Sequence, residues 1–359
     1  MIRYALLFPL LILLSCSQAP KQTTIAFGSC GHETEPQPIL SLAASYKPDL
    51  FIFLGDNIYG DTDNMGTLRA KYQRLAAKPE YQQLDSATRI LATWDDHDFG
   101  RNDAGKHYPY KEQSKELFLE HFKEPANSPR RQHPGIYHAE YLKQGDRTVQ
   151  ILLLDVRTFR SNLLPYDTAT KLPRDRYFYT LDYKPHVSTD STLLGAEQWR
   201  WLEAELKKPA DIRLVCSGSQ FGIELNGYEA WANFPHEQQR MLDLIRTTEA
   251  NGVFFLTGDV HYGEISRIEN PGSYPIYDIT SSGITSTWDF PTPNKNRIEG
   301  PVMDNHFGLL TIRWEKQPVV KMEIIDKTNN VRVEYTVQRS GFIVQRRTKN
   351  RQLTLNSEH

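Results

Sequence analysis

Apolar residues recur along this chain in short blocks, each ending abruptly in glycine or a polar cluster. Thr23–Phe27 runs into Gly28-Ser29-Cys30, Asp49–Leu54 into Gly55-Asp56-Asn57-Ile58-Tyr59, and Ile90–Trp94 into Asp95-Asp96-His97-Asp98. Val149–Leu154 leads to Asp155-Val156-Arg157, Ile212–Cys216 to Ser217-Gly218-Ser219-Gln220, and Val253–Thr257 to Gly258-Asp259-Val260-His261. Blocks of this kind predict buried strands. Between them, apolar residues at helical spacing predict helices over Pro38–Tyr46, Leu68–Leu75, Glu112–Phe122, Glu197–Leu206 and Glu237–Ala250. Alternation of the two patterns makes this an α/β domain whose helices cover the sheet. Open sheets of that class place ligands beyond the carboxyl ends of their strands, so the polar clusters converge on one rim.

After Tyr274 the pattern shortens to alternating segments, Ile276–Ile279, Phe307–Trp314, Val319–Ile325 and Val331–Val337, with a turn at Thr328-Asn329-Asn330. This reads as an antiparallel extension, or a second sheet. Residues 23–345 are expected to form the folded domain and 346–359 a polar tail.

The first residues differ from the rest. One positive charge at Arg3 precedes the apolar run Tyr4–Leu14, which is short for a membrane span and suits an export signal. It ends in Leu13-Leu14-Ser15-Cys16, which resembles the lipobox of bacterial lipoproteins. Residues 1–22 are therefore expected to be a signal peptide and tether, cleaved before a lipidated Cys16, and the protein to be exported and anchored to the bacterial membrane. A plain secretory signal with an incidental cysteine is the simpler alternative. Cys30 and Cys216 then remain, too few for a disulfide framework.

Composition narrows the partners. With 39% hydrophobic and 24% charged residues and a formal net charge of −2, the chain offers no long-range attraction to nucleic acid.

The strand-end residues carry the chemistry. Hydrolysis of a phosphate ester needs an activated hydroxide and neutralised phosphoryl charge, which two metal ions about 3.5–4 Å apart provide. Gly55 lets the chain turn so that Asp56 faces the rim, where it is expected to bridge two metals. Tyr59 offers a phenolate to the same side, and Cys30 a thiolate that a metal would deprotonate. That pair suits ferric iron. Asp95 and Asn102 bring oxygen to a second, harder ion, and Asp259 and His261 both reach the rim. Asn57, next to Asp56, is expected to touch substrate. The expected mechanism is in-line attack on phosphorus by a metal-bound hydroxide, with no covalent intermediate. Asp155 and Arg157 are expected to pair with each other inside the fold. Tyr228, Trp231 and Phe234 read as core more readily than as a substrate wall. His306 has no placement, and neither His32 nor His121 has a spacing that recommends it.

Phe27-Gly28-Ser29-Cys30, Gly55-Asp56-Asn57-Ile58-Tyr59, Trp94-Asp95-Asp96-His97-Asp98 with Asn102-Asp103, and Gly258-Asp259-Val260-His261 together resemble the PhoD-like metallophosphatases, the alkaline phosphatase D family. Leu194-Gly195-Ala196-Glu197-Gln198-Trp199 and Leu154-Asp155-Val156-Arg157-Thr158 support the likeness, which runs from about Thr24 to Thr311. The resemblance implies a four-layer α/β/β/α metallophosphatase sandwich, to which the antiparallel extension is C-terminal, and a site holding Fe3+ with Ca2+. Carried over by motif, Cys30, Tyr59 and His261 would bind iron and Asp56 would bridge. Asp95, Asn102 and Asp259 would bind the second ion, Gln220 would stand in the active site, and His97 would lie beside the leaving group. Asp98 and Arg101-Asn102 depart from the family's usual Glu and Asn-Asn. As a general acid His97 would protonate the leaving oxygen; as a neighbour of the ligands it would only hold them.

The expected substrate is a phosphate mono- or diester. The alternatives are a strict phosphodiesterase, such as one acting on phospholipid headgroups in the manner of a phospholipase D, and a surface lipoprotein that binds a phosphorylated ligand without turnover.

Overall fold

The computed structural model describes residues 21–166, 182–225 and 227–343. Cys16, the expected signal and the tail from 346 lie outside the described residues.

The apolar blocks are strands, as their composition requires: Leu50–Leu54, Ile212–Ser217 and Val253–Thr257 are buried along their whole length. They are divided between two sheets. Across the six-stranded sheet the order is Val331–Gln338, Val319–Asp326, His306–Arg313, Gln22–Gly28, Leu50–Leu54 and Arg89–Thr93. Across the seven-stranded sheet it is Arg297–Val302, Gly263–Ile268, Ile276–Ser281, Val253–Thr257, Ile212–Ser217, Arg147–Leu153 and His138–Gln144.

Alternation of side chains sorts the residues into layers. Ile25, Phe27, Ile52 and Leu54 face the second sheet and share a core with Val215, Leu256 and Ile279. Ala26, Phe51 and Phe53 point the other way, onto the helices Pro38–Ser45, Met65–Ala76, Pro79–Ala87 and Lys111–His121. The helices Gly195–Leu206 and Pro235–Thr247 bury Trp199, Leu202, Met241 and Ile245 with the second sheet. The result is a helix, sheet, sheet, helix sandwich.

The C-terminal strands do not form a sheet of their own. Ile276–Ser281 runs parallel to Val253–Thr257 inside the second sheet. His306–Arg313 pairs antiparallel with the first strand, Gln22–Gly28, and the next two strands extend that edge. The last part of the chain thus closes over its beginning, and the carboxyl ends of strands from both sheets meet at one rim.

Candidate metal centre

Four of the residues that meet at this rim hold their backbone in the left-handed region: Cys30 at φ 60°, Asp56 at 50°, Asp259 at 77° and His261 at 56°. None is glycine, and such conformations are strained in side-chain-bearing residues. Cys30, Asp56 and Asp259 stand two residues past a strand end, and His261 lies in the same turn as Asp259, so the chain turns sharply and throws these side chains across the rim. Gly55, at φ 102°, adds a second demand: a Cβ there would lie 2.6 Å from that of Asp95. Only glycine lets these two strand ends approach.

The turns bring three donor sets together. Cys30, Asp56 and His261 place their ligand atoms within 4.8 Å of one another, as do Asp56, Asp95 and Asp259, and as do Asp56, Asp96 and His97. Asp56 is common to all three. The Cys30 thiol donates to Asp56 Oδ2 at 3.4 Å and lies 3.0 Å from Ser282 Oγ. Tyr59 stacks between His32, with centroids 4.9 Å apart, and His97, at 4.3 Å. Its hydroxyl is buried without a hydrogen-bond partner, as are Asp56 Oδ1 and Asp95 Oδ2.

Electrostatics point the same way. Burial, and then the charge of Asp96, push the Asp56 carboxyl well above its usual range. Burial and the charges of Asp95 and Glu229 do the same to Asp259. Burial raises Asp95 too, against the pull of Arg157. Burial raises the Cys30 thiol, with Asp56 adding to it, and holds the His261 imidazole down to about 4. So many acids sealed together resist ionisation unless cations join them, and a neutral imidazole is the form that binds a metal. The donor set of thiol, phenol, imidazole and carboxylates fits that need.

His97 stands apart. Burial alone would lower its imidazole, but the charges of Asp56 and Asp96 and the hydrogen bond to Asp61 pull it up to about 10. Its Nδ1 lies 2.8 Å from Asp61 Oδ1.

Other expected residues are placed elsewhere. Asn102 is exposed, and its backbone N–H donates to Asp61 at 3.1 Å. Gln220 is buried, but its amide donates to Glu264 at 2.7 Å and Thr280 at 3.1 Å, inside the second sheet. Asn57 is buried and donates to the Thr93 carbonyl at 3.0 Å, its own amide oxygen lacking a partner. Asp98 accepts backbone N–H groups of Asn57 and Asp95, each at 3.2 Å, and the Tyr72 hydroxyl at 3.1 Å, tying two site turns together. Asp155 and Arg157 do not pair through their side chains. Asp155 accepts the backbone N–H of Arg157, Thr158 and Ile136, each at 2.9 Å, capping its turn. Trp231 and Phe234 are core, whereas Tyr228 is half-buried against Trp288.

The PhoD-like phosphatase family model matches residues 13–351 of the chain. The chain belongs to the PhoD-like phosphatase family. Alkaline phosphatase D of Bacillus subtilis (strain 168) is 26% identical over 289 residues, covering 69% of this chain and 47% of that protein. The chain therefore spans about half the length of this relative. A solved structure of PhoD superposes with a TM-score of 0.68 at 20% identity, over 91% of this chain and 72% of that one. Purple acid phosphatase PPD1 from yellow lupin seeds follows the same fold at a TM-score of 0.57 and 11% identity, over 89% of this chain and 54% of that one.

Around this PhoD-like rim the tertiary structure adds residues that periodicity does not mark. Ser282 accepts the His261 backbone N–H at 2.9 Å, touches Cys30, and donates its own N–H to His306 Nε2 at 3.2 Å. His306, fully buried, holds its other nitrogen on the Asp304 carbonyl at 2.7 Å. Glu229 and Asp96 share Arg157, and His32 covers Tyr59. Of these, Ser282 follows closely on a segment that the pattern marks, Ile276–Ile279.

Proposed function

We propose that this PhoD-like protein hydrolyses phosphate esters at a centre where Asp56 would be a ligand shared by two cations. One observation carries the reading: the Asp56 carboxylate belongs at once to a thiol–imidazole set and to an all-carboxylate set. A single acid shared by a soft and a hard donor group suits two unlike ions. Cys30, Tyr59 and His261 would hold ferric iron with Asp56, and Asp95 and Asp259 would hold calcium. Asn102, exposed on its loop, is left out of this set. When bound, the pair of cations neutralises phosphoryl charge and lowers the pKa of the attacking water.

The chain's own groups do the rest. Asp61 grips His97 through Nδ1 and leaves its other ring nitrogen to protonate the leaving oxygen of a mono- or diester. Arg157 fixes Asp95 through Oδ1, so that Oδ2 stays free for the site.

Export and anchoring through Cys16 form part of the same proposal and rest on the N-terminal pattern. A Cys16→Ala variant is expected to move from the membrane to the soluble fraction.

Metal analysis and a visible spectrum of protein purified without chelators test the centre. Iron with calcium, and a tyrosinate charge-transfer band that vanishes in Tyr59→Phe, are expected. Colourless protein holding only zinc would remove the iron, and unchanged turnover in Asp56→Ala would remove the centre.

A further inference from the structure

We infer that Tyr228, Trp288 and Phe290 form an aromatic subsite for a planar organic arm of the substrate, an inference that rests on the hydrolytic reading above. Trp288 lies flat beside the His261 imidazole, with ring centroids 5.2 Å apart and planes within 3°. Its backbone N–H donates to the His261 carbonyl at 3.0 Å, which fastens the loop to the rim. Phe290 stacks on Trp288 at 5.6 Å and 23°, and Tyr228 leans on it at 5.0 Å.

Exposure separates this cluster from ordinary core. Trp231 and Phe234, nearby in sequence, are sealed, while Tyr228, Trp288 and Phe290 each stay half-buried. Tyr228 adjoins Glu229, whose carboxylate groups with Asp96 and Asp103, and Trp288 adjoins His261. The rings therefore link the turn on the Asp96 side to the turn on the His261 side. Aromatic surface left partly wet beside a hydrolytic centre gains when a planar group displaces its water. Stacking of that kind is worth about five- to a hundredfold in affinity. A hydrated polyol arm gains little from it. The subsite thus selects esters carrying an aryl ring or a planar heterocycle over esters of glycerol-like alcohols.

Two measurements on the protein with its resident metals test this. The first is calorimetric binding of naphthylmethylphosphonate and of methylphosphonate, neither of which can be hydrolysed. The second is kcat/KM for 2-naphthyl phosphate and glycerol phosphate, each read as the ratio of variant to wild type so that leaving-group reactivity cancels. Trp288→Ala is expected to weaken the naphthyl ligand at least about tenfold more than methylphosphonate, with the same bias in kcat/KM. Trp288→Phe should restore most of it, and Tyr228→Ala should show a smaller bias without touching the ring against His261. Equal losses for both ligands in all variants would overturn the subsite, because mere support of His261 predicts that result. Absent turnover of either ester by wild type, with the binding bias intact, would instead overturn the hydrolytic reading.

Discussion

Arg157 and Asp95, 62 positions apart, form one buried ion pair in which Arg157 Nε donates to Asp95 Oδ1 at 2.5 Å. The same guanidinium reaches both oxygens of Glu229 at 2.7 Å, and its side chain is wholly screened from solvent. One cation thus balances acids from two loops and decides which oxygen of Asp95 faces the rim.

Breaking that pair should be costly. Arg157→Ala leaves Asp95 buried without its cation and Glu229 with that of Arg160, and a loss of about 3–5 kcal/mol is expected in urea unfolding. Arg157→Lys keeps the charge but not the planar fork, so it should recover only part of this. Unchanged stability in the alanine variant would show that the pair is not closed in solution.

Asp56→Asn should separate stability from activity. Burial and Asp96 raise the Asp56 carboxyl, so its charged form weighs against the metal-stripped fold. The variant is expected to melt at or above wild type in chelator, to melt below it when metals are present, and to lose activity on the order of 10³-fold. A lower melting temperature in chelator would contradict the crowding of acids described above.

His97→Gln tests the proton donor. With a poor alkyl leaving group the loss should be about 10²–10³-fold, and with nitrophenolate far smaller, because that oxygen leaves without a proton. Asp61→Asn, which weakens the grip on Nδ1, should show the same bias at lower amplitude. Equal losses on both esters would make His97 a support of the ligands alone.

His121 gives a pH test away from the rim. It is half-buried, with its ring packed among Tyr72, Tyr81 and Phe122, and desolvation there, with Lys123 adding and Asp85 opposing, lowers its imidazole to about 4. The unfolded chain therefore takes up this proton as pH falls below about 6.5 and the native protein does not, so stability declines from there toward pH 4. At pH 5 the penalty is about 2 kcal/mol. The stability lost between pH 7.5 and 5 should be smaller by that amount in His121→Phe, measured as the difference of urea unfolding curves. Parallel pH dependence in the two proteins would refute it.

Strands buried on both faces were legible because nothing polar interrupts them. Val253–Thr257 has the same bounds in pattern and structure. The edge strand His138–Gln144 was not, since its half-exposed positions alternate weakly and its partner is found only through the Gly145 turn. The helix Pro79–Ala87 leaves no clear periodic pattern for a similar reason, with only Tyr81 and Leu84 buried.

At the site, side chains that follow their own strand are marked by the sequence pattern, whereas partners that come from loops are not. Sequence proximity suggested an Asp155–Arg157 pair, yet the turn directs Asp155 to backbone N–H groups and Arg157 outward to Asp95. Asn102 lies near Asp95 along the chain and is exposed on its loop.

The amino-acid sequence by itself determined that Cys30, Asp56, Asp95, Asp259 and His261 end buried strands, because apolar runs must be sealed and their polar successors must sit at the edge. Only the tertiary structure decided which of these acids share a position, that Ser282 joins Cys30 to His261, and that Trp288 stands beside them. Those relations depend on the closing of two sheets over one another and on loops whose course follows from packing, which no local pattern of residues encodes.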